Sequence, residues 1–357
     1  MIKIKLIIIC ILSFPIYSCS EQKSKNELQN VTSETDSEPI RSNKKSFDKS
    51  LLSPDFNDQI NQVVRTVFQD SKRNIWFGTE SGAFKFNGEL LIYISDIISK
   101  SGKGVTIKDI TESRDGKIWF GHTAGISSIL GESVTNYYES DGLISNDVWC
   151  ITSDTIGNIW IGTKNGVSVF DGQEFSNFEL PEGIIDSTVG VSSTKMVHSI
   201  KEDSKGTLWF SSNAGLFSYS NDMLINVTEK AGIQTNFVNE IFEDKKGELW
   251  VSTKKGLYNL SGDKIKNITE GKIKDGKGIG SIAEDKDGNI WFVSNQHFLY
   301  TYDREKLIEY QKSEVNKGPV IFQIYKDQDD RLWFVGYGGT YRLEDGKFIN
   351  ITKNGPW

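Results

Sequence analysis

A tryptophan comes back along this chain at a nearly fixed interval: Trp76, Trp119, Trp160, Trp209, Trp250, Trp291 and Trp333, with spacings of 43, 41, 49, 41, 41 and 42 residues. A period of this size means a stack of like units, and it limits the fold before anything else is considered. Around each Trp the apolar runs last four to six residues and are broken by Gly, Asn, Asp and Lys, which suits short strands and not helices. One unit reads clearly: "FVNEIFED" (237–244), "LWVST" (249–253), "LYNL" (257–260) and "IKNIT" (265–269) are four strands separated by turn residues. Four antiparallel strands in about 42 residues make one propeller blade. The expected fold is therefore all-β, a seven-bladed β-propeller of four-stranded antiparallel blades covering 55–357.

The turn chemistry agrees. Six residues before the Trp stands Asp70, Asp154, Asp203, Asp244, Asp285 or Asp327, with Ser113 in the second copy. Three residues before it stands Gly116, Gly157, Gly206, Gly247 or Gly288, replaced by Arg73 and Asp330 in the end copies. Asp accepts hydrogen bonds from amides two residues on, and Gly takes positive φ freely, so this pair closes a hairpin. A second Gly follows the Trp by six residues in every unit except the sixth, where His297 stands. The repeated Trp is expected to fill the space between adjacent blades, with its indole N–H on a carbonyl. Trp and Asp are thus read as scaffold.

The stretch "EDSKGTLWFSSNAGLFSY" (202–219), with turns such as "GLISNDV" (142–148), resembles the two-component regulator propeller repeat. WD40 and kelch signatures are missing. The resemblance implies an extracytoplasmic recognition propeller, as in sensor regions that respond to polysaccharide fragments, or a free-standing lipoprotein. No transmembrane helix or kinase segment follows the repeats, so signalling by this chain alone is not expected.

Upstream of the repeats, Lys3 and Lys5 precede an apolar stretch, Leu6 to Ile16, too short to span a bilayer. Residues 1–18 read as a signal peptide. The sequence "IYSC" ends on Cys19 and resembles a lipobox, which makes Cys19 the expected lipidation site and membrane anchor. Ser20 in place of Asp after it points to the outer membrane, by analogy with lipoprotein sorting. Residues 19–54 are rich in Ser, Glu, Lys and Asn and read as a tether that cannot offset its ordering entropy. Only Cys150 then remains in the folded part, so no intramolecular disulfide is expected.

With 41 basic and 48 acidic residues the net charge is −7, and no dense Lys/Arg run occurs, so nucleic acid is not an expected partner. Neither cofactor nor metal is expected: His122, His198 and His297 lack ligand spacing. The chain is expected to be monomeric, with an oligosaccharide or an envelope protein as partner.

Between copies, one position of the first strand varies freely. Five residues before the turn Asp stand Arg65, Lys108, Trp149, His198, Asn239, Gly280 and Phe322. On a channel wall, aromatic faces among them suit sugar stacking, and the cations and amide suit hydroxyls or a carboxylate. The alternative is that this position borders a wet channel and drifts. A second candidate feature is the insertion "LPEGIIDSTVGVSSTKM" (180–196), placed beside His198 and able to fold over the channel mouth. A lyase using His198 with Arg65 or Lys108, and a protein-docking scaffold, are the competing functions. Ring closure is expected to rely on blade packing without strand exchange, with Phe47, Leu51, Pro356 or Trp357 as candidate latches.

Overall fold

The computed structural model describes residues 59–262, 264–273, 278–312, 320–353, 355 and 357. They form seven four-stranded antiparallel sheets, each made of four consecutive strands in sequence order. The fold is a seven-bladed β-propeller. The signal, the tether, Cys19, Phe47, Leu51 and Pro356 lie outside the described residues.

The first strands, which line the channel, are Val64–Gln69, Ile107–Glu112, Val148–Ser153, Val197–Glu202, Val238–Glu243, Ile279–Glu284 and Val320–Lys326. The fifth blade runs Val238–Glu243, Leu249–Thr253, Gly256–Ser261 and Lys264–Asn267, close to the strands expected from its sequence.

Each recurrent Trp packs on the blade that follows. Trp76 meets Phe120 at 5.6 Å between ring centroids, Trp160 meets Phe210 at 5.6 Å and Trp291 meets Phe334 at 5.8 Å. Trp333 of the last blade meets Phe77 of the first at 5.8 Å, so the contact runs around the whole ring. These edge-on and tilted geometries suit the aromatic quadrupoles, and six of the seven indoles are buried while Trp209 is half-buried.

The indole N–H does not reach a carbonyl, as the sequence suggested. It donates to the turn residue of its own blade: Trp76 to Asp70 Oδ2 at 2.8 Å, Trp160 to Asp154 Oδ2 at 2.8 Å, Trp250 to Asp244 Oδ2 at 2.8 Å. In the second blade Trp119 donates to Ser113 Oγ at 3.0 Å. The same carboxylate accepts turn amides, for Asp154 those of Gly157 and Asn158 at 2.8 and 2.7 Å. A buried carboxylate is tolerable only with its lone pairs filled, and here one Asp holds both the hairpin and the wedge between blades.

Among the described residues no strand is exchanged at the seam, and Trp357 acts as a latch. It is buried with Ile60, Phe77 and Leu91, and its ring lies 5.7 Å from Phe86. Ile60 N donates to Thr352 O at 2.8 Å, tying the two chain ends together.

The sixth blade, lacking the second Gly, turns differently. Asn295 and Gln296 take left-handed φ of 53° and 65° in front of His297.

Candidate functional site

All first strands share an irregularity. Val64 pairs with Thr79 and Thr66 with Gly78, leaving Arg65 as an extra residue. The same shift leaves out Lys108, Trp149, His198, Asn239 and Phe322, and falls at Gly280 to Ser281 in the sixth blade. The variable position is thus a β-bulge in every blade. A bulged residue has no ladder partner and its side chain is re-aimed, so the sheet places no demand on its identity.

These residues surround one mouth of the channel and meet in pairs. Arg65 lies 4.5 Å over the Phe322 ring and bonds Glu80 at 2.6 Å. Lys108 lies 3.7 Å over Trp149 and bonds Asp147 at 2.6 Å, and burial lowers the pKa of its ammonium. Trp149 is 38 % exposed, the most open of the aromatic members. Asn239 reaches Ile279 O at 3.5 Å.

His198 is committed to the wall. Its Nδ1–H donates to Val238 O at 2.7 Å, its ring lies 4.8 Å from Phe237, and Nε2 is enclosed without a partner. Burial pushes its pKa down to about 4, so the ring is neutral at pH 7.

The insertion lies on the same face and crosses the fourth blade to the fifth. Asp186 pairs with Lys254 Nζ at 2.6 Å, and Asn213 Nδ2 donates to Ile184 O and Ser193 O at 3.0 Å each. Ile184 and Ile185 are exposed at its tip.

One residue past the bulge, the side chain of four blades bonds to the next blade. A first strand has ladder partners on one side only, so alternate amides face the channel and need acceptors. Gln323 Oε1 accepts from Val67 N at 2.7 Å, Asp109 Oδ2 from Ile151 N at 3.0 Å, Ser281 Oγ from Ile324 N at 3.1 Å and Glu240 Oε2 from Ile282 N at 3.2 Å. An amide, a hydroxyl and two carboxylates make the same bond. Burial raises the pKa of Asp109 and pushes that of Glu240 up to about 7, while the positive charge of Lys201 pulls both down. Cys150 stands on this tier, 4 % exposed, and its thiol is pushed up by burial and by Asp109. Thr66 Oγ1, also on this tier, is buried without a partner.

Toward the opposite mouth the channel widens into a cavity of about 470 Å³. Asp109, Glu240 and Lys201 reach it, Phe68, Phe242 and Tyr325 supply aromatic wall, and Asp244 and Lys245 stand at its rim. Sequence reasoning missed this tier. The available signal was a charged residue in two of seven copies, one step after the position that varies.

Five segments, 58–81, 142–165, 190–214, 232–255 and 274–296, match the family described as "Two component regulator propeller". Each covers the first hairpin of a blade, in blades one, three, four, five and six. Five of the seven blades thus carry the two-component regulator propeller repeat. Among solved structures, this propeller is similar to the extracellular domain of a hybrid two-component system from B. thetaiotaomicron, at 24% identity and TM-score 0.62 over 78% of this chain and 38% of that one. A one-component system's extracellular domain from the same organism gives 19% and 0.63, over 82% and 38%. The repeat protein described here therefore spans well under half the length of either relative. Virginiamycin B lyase from Staphylococcus aureus gives 15% and 0.61, over 79% of this chain and 96% of that one. At these identities the likeness is one of fold. No curated protein matches the sequence.

Proposed function

We propose that this protein is an extracytoplasmic recognition module, tethered through lipid on Cys19, that takes an oligosaccharide across the bulge-lined channel mouth. The observation that carries the reading is Trp149: an aromatic face, 38 % exposed, presented on a bulge where the sheet asks for nothing, with Lys108 3.7 Å from its ring. Arg65 and Asn239 add donors for hydroxyls or a carboxylate. The extracytoplasmic location draws support from the two relatives, whose solved parts are extracellular domains. A lyase using His198 as base draws less support, because Nδ1 is bound to Val238 O and Nε2 is enclosed.

The test is thermal unfolding of the mature protein against a panel of oligosaccharides. A ligand at about a hundred times its Kd adds roughly 2.7 kcal/mol, which moves the midpoint by several degrees. The shift should vanish in Trp149→Ala with Arg65→Ala. No shift with any sugar would turn the reading to protein docking at this face. Lipid on Cys19 is checked by fatty-acid labelling, which Cys19→Ala should abolish.

A further inference from the structure

We propose that the groove between the second and third blades, on the side of the disc away from the bulges, is a second binding site, and that it takes a small organic carboxylate with a flat apolar body. The carboxylate lies on the amide and guanidinium of Arg114, and the body covers Trp119.

The sister grooves supply the template. In most of them an acceptor at the end of one blade's first strand binds the hairpin turn of the blade before it. Glu112 takes the amide and hydroxyl of Ser71 at 2.7 Å each, Glu202 those of Thr155 at 2.7 and 2.9 Å, and Glu243 those of Ser204 at 2.7 and 2.6 Å. Glu284 takes the Lys245 amide at 2.8 Å and Gln69 that of Gln328 at 2.7 Å. Lys326 holds the position between the sixth and seventh blades and pairs with Asp330 at 3.2 Å. Between the second and third blades the turn residue is Arg114 and the strand ends on Ser153, whose short hydroxyl reaches only Asp154 O at 3.4 Å. This turn keeps its backbone bonds, Ser113 N to Lys117 O at 2.9 Å and Gly116 N to Ser113 O at 2.8 Å. The Arg114 amide is therefore presented as its counterparts are, and among the described residues it meets no acceptor.

The body of the ligand has a template too. Between the fifth and sixth blades the Arg304 guanidinium lies 5.0 Å over Trp250 and bonds Asp244 at 2.9 Å, Glu248 at 2.8 Å and Glu284 at 3.4 Å. A planar group thus covers the Trp and touches the carboxylate that binds the turn. Arg304 stands in the left-handed turn after the third strand, at φ 82°, and its counterpart in the third blade is Gly172, at φ 100°. With no side chain there, a cavity of about 370 Å³ opens over Trp119, Ile159 and Phe170, with Arg114, Asp115 and Lys117 at its rim. That volume suits a small molecule.

The charges are reversed with the shape. Ser113, Lys117 and Ser153 stand where Asp244, Glu248 and Glu284 hold Arg304. A cation has lost its three partners, and an anion has gained an ammonium and two hydroxyls. Among the charged groups that line the cavity, Lys117 and Asp115 pair with each other at 3.0 Å, which leaves Arg114 uncompensated. A guanidinium beside a free amide is a fork matched to a carboxylate.

The experiment is calorimetry on the mature protein with cinnamate, and with cinnamamide, in which an uncharged carboxamide replaces the carboxylate. Cinnamate is expected to bind and cinnamamide to bind at least about tenfold more weakly. Ser153→Glu restores the carboxylate of the sister grooves. It should lower cinnamate affinity about tenfold or more while raising the thermal midpoint, which also shows that the variant folds. Arg114→Glu, at an exposed turn position, is the second variant and should lower the affinity at least as much. Trp149→Ala should leave cinnamate binding unchanged, which separates this groove from the bulge-lined mouth. No binding of cinnamate, equal binding of cinnamamide, or an affinity indifferent to both Ser153→Glu and Arg114→Glu would each overturn the proposal.

Discussion

Trp160 Nε1 and Asp154 Oδ2 stand 2.8 Å apart, and the same carboxylate accepts the amides of Gly157 and Asn158. A single side chain thus fixes the first hairpin and the wedge against the next blade. Asp154→Ala strands several buried donors and should destabilise the protein by roughly 3 kcal/mol. Asp154→Ser should recover about half of that loss, because Ser113 holds Trp119 in the same way at 3.0 Å. Chemical denaturation of both variants is the check, and equal loss in the two would refute the shared role.

Trp357 closes the ring with its indole N–H buried and unpartnered. Trp357→Phe keeps the apolar packing and removes the orphaned donor, so it should be nearly neutral. Trp357→Ala should lower stability by about 3 kcal/mol, with amide exchange speeding first in the first and last blades. Uniform acceleration around the ring would show that the seam is not the weak joint.

Acid should destabilise the propeller through two histidines. Burial holds His122 and His198 down to about 4, against 6.5 for the unperturbed group. Between those values the unfolded chain binds protons that the folded one refuses, so stability falls as pH drops from about 6.5 to 4. The loss is on the order of 3 kcal/mol for each, fully expressed below pH 4. Glu240 acts in the opposite sense: its raised folded pKa favours folding at low pH, and that contribution is lost as pH rises through about 7. His122→Gln should therefore flatten the acid limb of a stability–pH curve, and Glu240→Gln should raise stability at pH 8. An acid limb unchanged by His122→Gln would contradict this.

The insertion is tied to the fifth blade by a half-buried pair, Asp186 with Lys254, and to the fourth by Asn213. Lys254→Ala should change global stability by less than about 1 kcal/mol while speeding proteolysis between Ile184 and Ser193. Limited digestion followed by mass spectrometry reads this directly, and an unchanged cleavage rate would mean that Asn213 alone holds the strap.

The fold was legible because the period of Trp, the turn Asp and the Gly after it all report local backbone geometry. The partner of the indole was not, since a Trp and an Asp six residues apart meet only through the hairpin between them. The variable first-strand position could be picked from its lack of a repeated residue, yet the bulge that frees it is a register shift with no residue signature. The tier of Asp109 and Glu240 escaped for the same reason: strict alternation misassigns the facing of a strand that carries an extra residue. Lys108 over Trp149 and Arg65 over Phe322 join adjacent blades, and such pairings depend on ring order that no single repeat contains.

Because every sheet is assembled from one unbroken run of chain, the joint between the last blade and the first differs from the other six in little more than Ile60 and Trp357. Connectivity does not decide how many blades the ring holds; the wedge angle set by each Trp against the following Phe or aliphatic does. The same polypeptide could be cut at any link between blades and rejoined at the seam without severing a sheet, so the order in which the blades are encoded is a matter of history more than of mechanics.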